Sequence, residues 1–229
     1  MPFPSAIVIG IAALTAGVDW LAVAWGLGRL ERRAKPAVIV LLVLAVLLAD
    51  PAASPRSLLL AVALGASITG DLLLLPPPRF VLGLAAFLIA HLAYVAVFLL
   101  MGVQGAFTAT SAELAGAALV GVAAILWTAG RPILAGAARS GMGRPVAAYL
   151  GAICVMAIAA TATGSGLAAA GAWLFVASDA LLGWDRFVAA PPAPPASPAA
   201  SCRRRLRVMV TYHAAQVLLV LAVLSVPLS

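Results

Sequence analysis

Long apolar runs recur along this chain, separated by short steps rich in arginine, proline or glycine. An α-helix rises 1.5 Å per residue, so a hydrocarbon core about 30 Å thick asks for about 20 consecutive apolar residues. Eight runs approach or reach that length, at 5–27, 36–53, 57–75, 80–101, 112–129, 145–161, 167–184 and 207–227. The pattern predicts an all-α fold: a polytopic transmembrane helix bundle of eight spans forming one domain over 1–229. Polar positions inside these runs are few and grouped. Gly70-Asp71, His91 with Tyr94, and Ser178-Asp179 interrupt otherwise apolar helices. Ionisable groups are costly within a bilayer, so these interruptions are the first candidates for function.

Composition agrees with the pattern. Of 229 residues, 65% are hydrophobic and 9% charged, and the mean hydropathy is +1.15. A water-soluble domain of that composition would expose an apolar surface far larger than soluble proteins carry. The first run has no basic flank and no small-residue cleavage site ahead of the second, which predicts a retained helix rather than a removed signal peptide.

Charge then orients the bundle. If the amino terminus lies outside, every basic residue but Arg56 falls on the inner side: Arg29, Arg32, Arg33 and Lys35, then Arg79, then Arg131, Arg139 and Arg144, then Arg186 and Arg203 to Arg207. The positive-inside rule therefore favours an even number of spans with both termini outside, in the style of a multi-pass inner-membrane protein. The net charge of +7 is spread over these inner loops, where it suits anionic lipid headgroups rather than nucleic acid. Neither Cys154 nor Cys202 has a plausible partner on the oxidising side, so no disulfide is expected.

Two proline-rich stretches punctuate the chain. Pro76-Pro77-Pro78 is expected to end the third span in a tight inner turn, and 189–206 reads as a flexible Pro/Ala-rich and basic cytoplasmic linker. Small residues such as Gly164, Gly166 and Gly171 suit close helix packing. No internal repeat is evident.

Counting 1.5 Å per residue from the inner ends places Asp71, Asp179, Tyr212 and Gln216 at similar depths. His91 and Tyr94 lie deeper, Asp19 sits in the first span, and Lys35 stands at the mouth of the second. Groups of this kind from at least five helices predict an internal polar cavity open to the inner leaflet. His213 follows Tyr212 and faces another side. Asp50, Glu113 and Asp185 fall at span ends, where solvated or capping roles are expected.

Gly70-Asp71-Leu72-Leu73, followed by Phe80, Gly83, Phe87, His91 and Tyr94, then Gly171-Ala172-Trp173-Leu174-Phe175 leading to Ser178-Asp179, resembles the YhhN-like lysoplasmalogenase family. Lys35-Pro36 and Tyr212 to Gln216 are similar to two further positions of that family. The combination is specific although each motif alone is weak, and it covers the chain from about Lys35 to Gln216. The stretch after Val188 departs from the family's compact loop.

The resemblance implies a membrane hydrolase that splits the vinyl ether bond of lysoplasmalogens into a fatty aldehyde and glycerophosphoethanolamine or glycerophosphocholine. Its two membrane aspartates fall on Asp71 and Asp179. Lys35, His91, Tyr94, Ser178, Tyr212, Gln216 and Asp19 are the expected supporting or substrate-binding residues. No cofactor and no metal are expected, and the partners are the lysophospholipid and surrounding membrane lipids. Two carboxyls in one partly dry pocket can divide the roles of acid and anion. A hydrogen bond from Ser178 would favour Asp179 as the anion and Asp71 as the acid. Two rival readings stay open: a metal-dependent lipid hydrolase using His91, His213, Asp71 and Asp179, and a proton-coupled transporter using Asp19, Asp71 and Asp179 as a relay.

Overall fold

The computed structural model describes residues 2–74, 79–104, 109–189 and 198–226. The expected turn at Pro76-Pro77-Pro78 and most of the proline-rich linker, 190–197, lie outside the described residues. Among the described residues the secondary structure is helical throughout: α1 (Phe3–Ala24), α2 (Gly28–Ala49), α3 (Pro55–Leu74), α4 (Phe80–Gln104), α5 (Ala109–Ile125), α6 (Arg131–Arg139), α7 (Gly143–Ala162), α8 (Gly166–Phe187) and α9 (Pro198–Ser225). Helices α1 and α3 open on proline in the first turn, at Pro4 and Pro55, where its missing N–H would have no intrahelical partner anyway.

Three boundaries differ from the sequence expectation, each for a local reason. The second helix starts at Gly28 rather than at Pro36, so Pro36 lies inside it. A proline there removes one backbone hydrogen bond without stopping the helix, and Lys35 becomes a helical side chain. A π turn over Leu126–Gly130 carries α5 straight into α6, so the expected loop around Arg131 is helix, with its guanidinium 4.2 Å from the centre of the Trp127 ring. The last helix begins at Pro198, so the basic cluster Arg203 to Arg207 sits on its first turns and not in the linker.

Seven described segments are long and apolar enough to cross a membrane, with Thr110–Arg139 acting as one of them. The remaining helix, α2, carries Arg29, Glu31, Arg32, Arg33 and Lys35 in its first turns and an apolar stretch from Pro36 onward.

The helices form a ring. Contacts join α1 to α2, α2 to α3, α3 to α4, α4 to α7, α7 to α8, α8 to α9 and α9 back to α1. The chain therefore skips α5 and α6, which lie against α7 from outside. Side chains follow this plan. Leu14, Trp25, Val120 and Trp127 are exposed outward, whereas Asp19, His91, His213 and Gln216 are fully buried inside. Apolar surface outside and polar groups within is the arrangement a lipid solvent selects.

Glycine sets two of the helix contacts. A Cβ on Gly70 would fall 2.5 Å from the Phe87 ring, and one on Gly171 would fall 2.9 Å from Leu219. Both residues let a neighbouring helix approach, Gly70 beside Asp71. Gly164, expected to pack, instead turns the chain between α7 and α8 at φ +73°, and Gly166 faces open space.

Candidate active site

Four helices present one face each to a common hollow. Glu31 and Lys35 are four apart on α2, and Asp71 and Leu74 are three apart on α3. Ser178, Asp179, Leu182 and Asp185 follow the same spacing on α8, as do Arg205, Val208, Met209 and Tyr212 on α9. With Phe87 of α4 they enclose a cavity of about 340 Å³. Asp71 and Asp179, distant in sequence, line this one space.

Their surroundings differ. Lys35 places its ammonium 2.8 Å from Asp71 Oδ1, and the Tyr212 hydroxyl donates to Asp71 Oδ2 at 2.9 Å. The same ammonium lies 5.8 Å from the centre of the Tyr212 ring. Asp71 thus has a cation and a hydroxyl donor, one on each oxygen, the pairing that a buried carboxylate needs. Asp179 receives the Tyr149 hydroxyl on Oδ2 at 2.5 Å. His91 Nε2 stands 3.7 Å from the same oxygen, beyond hydrogen-bond reach.

Aromatic rings wall the floor. The Phe175 ring packs edge-on against His91 at 4.8 Å, Tyr212 at 5.5 Å and Tyr94 at 6.4 Å. Beside Asp179 a narrow apolar slot leads off between α4, α6, α7 and α8, lined by Phe80, Leu84, Ile133, Val146 and Leu150 and sharing Leu74, Phe87, Asp179 and Leu182 with the main cavity.

Of the supporting residues expected from sequence, Lys35, Ser178 and Tyr212 line the cavity with the two acids. Tyr94 and Gln216 lie behind the aromatic floor, bonded to each other at 2.5 Å. His91 is buried there too, facing Asp179. Asp19 is apart from the cavity: it is fully buried on α1 with His213 Nδ1 3.9 Å from its Oδ2, and Trp20 Nε1 donates to that same His213 nitrogen at 3.2 Å. The two histidines therefore serve different neighbourhoods, and among the described residues no group of three His, Cys, Asp or Glu converges as metal ligands would.

One expectation is overturned. Ser178 does not bond Asp179; its hydroxyl donates to the Val208 carbonyl at 3.2 Å. Adjacent residues on a helix point about 100° apart and do not face each other. Sequence reading also missed Tyr149 and Glu31, and it named Phe175 only within the family motif and Arg205 only within the basic cluster, neither as a site residue. Tyr149 had one usable signal, a hydroxyl inside an apolar run.

The profile of the YhhN family matches residues 30–223, a span that includes both acids and every residue lining the cavity. Among curated proteins, lysoplasmalogenase TMEM86B of Mus musculus is 36% identical over 166 residues, and its counterpart in Homo sapiens is 36% identical over 168. Each alignment covers 72% of this chain and 63% of the relative, so the match spans less than two thirds of those proteins. No solved structure matches the chain. Two-thirds coverage of this chain at that identity, together with the family profile over most of its length, settles the relationship: the chain belongs to the YhhN family.

Proposed function

We propose that this protein is an integral membrane hydrolase that cleaves the vinyl ether bond of lysoplasmalogens, releasing a fatty aldehyde and glycerophosphoethanolamine or glycerophosphocholine. It crosses the bacterial inner membrane eight times, with α2 as the eighth span and both termini outside. The cavity then opens toward the inner leaflet, as the basic residues on its side of the bundle support. The lysolipid enters from that leaflet and threads its chain into the apolar slot beside Asp179.

The observation that carries this reading is the pairing of two acids on one cavity in unlike surroundings. Vinyl ether hydrolysis needs a proton delivered to carbon and an anion to meet the cation that results. Asp71, held by Lys35 and Tyr212, is the anion. Asp179, beside the apolar slot and without a cation at hydrogen-bond distance, is the acid. This reverses the assignment that a Ser178 bond would have favoured.

The steps balance. Asp179 gives its proton to the outer alkene carbon, leaving an oxocarbenium beside two carboxylates. Water adds to the cationic carbon as Asp71 takes its proton, forming a hemiacetal. Collapse returns the hemiacetal hydroxyl proton to Asp179 while Asp71 protonates the departing glycerol oxygen, so both acids end as they began. Two carboxyls with divided roles perform analogous work in glycoside hydrolysis. Tyr149 positions Asp179 and Tyr212 positions Asp71, while His91, Tyr94 and Gln216 support the aromatic floor.

Aldehyde release from a lysoplasmenyl lipid tests the reading. Asp71→Asn and Asp179→Asn, each folded, are expected to lose activity by about 1000-fold, the scale of a positioned acid or base. Full activity in either variant would overturn it.

A further inference from the structure

Outside the two acids, the cavity mouth is charged in both signs. Arg205 of α9 pairs with Glu31 of α2, and both side chains line the cavity. Asp185 of α8 also lines it, with Arg204 Nε 3.6 Å from its Oδ1. Arg205 is the open member, its side chain 56% exposed against 15% for Glu31. Lys35, expected at the mouth of the second span, is instead committed to Asp71 deeper in.

We propose that this rim is the binding site for a zwitterionic phosphodiester headgroup, with Arg205 taking the phosphate and Glu31 and Asp185 taking the ammonium. The assignment rests on the hydrolase reading for where the reacting bond lies. A vinyl ether held between Asp71 and Asp179 puts the phosphate a glycerol's length outward, at the rim. The arginine guanidinium forks onto phosphate oxygens as well as onto carboxylate. A zwitterion can therefore replace the Arg205–Glu31 pair with two new pairs, and no charge at the mouth is left without a partner. A phosphomonoester without an amine would satisfy Arg205 but leave Glu31, its partner taken, facing added negative charge, while Asp185 keeps Arg204. Glu31 thus selects for the amine, a repulsive element against the wrong ligand.

The test uses ligands that cannot react: 1-O-alkyl glycerophosphocholine, 1-O-alkyl glycerol 3-phosphate and 1-O-alkylglycerol, bound to the full chain in nanodiscs. A saturated ether has no alkene to protonate, so failure of the hydrolase reading, seen as no aldehyde from vinyl ether lipid, leaves this readout intact. Wild type should prefer the phosphocholine ligand to the phosphomonoester. Glu31→Gln should lower that preference about tenfold. Arg205→Ala should lower the affinity ratio of the phosphocholine ligand over alkylglycerol about tenfold, as loss of a charge-assisted hydrogen bond does. Arg205→Lys should restore part of it, and Arg203→Ala, an exposed neighbour off the cavity lining, should keep the wild-type ratio. Free glycerophosphocholine should displace the phosphocholine ligand from wild type, separating headgroup capture from chain capture. Unchanged ratios in both Glu31→Gln and Arg205→Ala, a wild-type preference for the phosphomonoester, or no displacement by free glycerophosphocholine would overturn the proposal.

Discussion

Asp71 and Asp179 are the same side chain on the same cavity, yet their corners are built differently. The Asp71 corner joins three helices through charge: α2 supplies Lys35, α9 supplies Tyr212, and Gly70 lets Phe87 close over the next turn. The Asp179 corner is aromatic and apolar, with one hydroxyl donor from Tyr149 and an imidazole just out of reach. A carboxyl takes its chemical role from its neighbours more than from its own structure. In the proposed reaction, the contrast between an ion-paired acid and a ring-enclosed one lets one pocket both give a proton and stabilise a cation.

The strongest way to break that contrast after removing the acids themselves is to remove the cation. Lys35→Met should leave Asp71 buried without a counter-charge, lowering stability by about 3 kcal/mol, the usual cost of breaking a buried pair. Aldehyde release should fall about 100-fold in the same variant. Thermal unfolding and an activity assay on one preparation check both effects.

Trimming the hydroxyl donors is gentler. Tyr149→Phe keeps the ring beside His91 and removes only the bond to Asp179. It should lower kcat about tenfold with little change in KM, the mark of a positioning role at the acid. Tyr212→Phe should act on Asp71 to a smaller extent, because Lys35 still holds the other oxygen.

Packing near the Asp71 corner comes next. Gly70→Ala forces a Cβ against the Phe87 ring and should cost about 2 kcal/mol. Gly166→Ala, where nothing lies within 4 Å, is the paired control and should be close to neutral.

The smallest effect concerns the far end of α2. Hydrogen bonds from the Ser54 hydroxyl, then the Ser57 hydroxyl and the Ser54 N–H, hold the Asp50 carboxyl below the usual carboxylate range. A folded-state value below the unfolded one stabilises above the unfolded value, and the contribution fades as pH falls through the folded value. Melting temperature should therefore drop slightly on acidification, and Asp50→Asn should flatten that drop.

Much of this was legible in the sequence, for physical reasons. Asp71 and Asp179 stand out because acids inside apolar runs are rare and costly. The helical content is legible from run length alone. The ring order was not, since contacts between α4 and α7 depend on α5 and α6 being set aside, and the apolar pattern of α5 looks like that of any other span. The continuation of α5 into α6 was hidden because Gly130, Arg131 and Pro132 read as the start of a loop, whereas the π turn over Leu126–Gly130 carries the helix through them. Ser178 misled through adjacency: neighbours in sequence part company on a helix. Tyr149 was overlooked because a lone tyrosine in an apolar helix usually packs. Lys35 was placed at the surface by its position before a proline, and only the start of α2 at Gly28 turns it inward toward Asp71.

Infrared spectroscopy of the carboxylic C=O stretch probes the division between the two acids most directly. In membranes at neutral pH, a protonated-carboxyl band that disappears in Asp179→Asn and persists in Asp71→Asn is the predicted result. A band that persists in Asp179→Asn and vanishes in Asp71→Asn would contradict it.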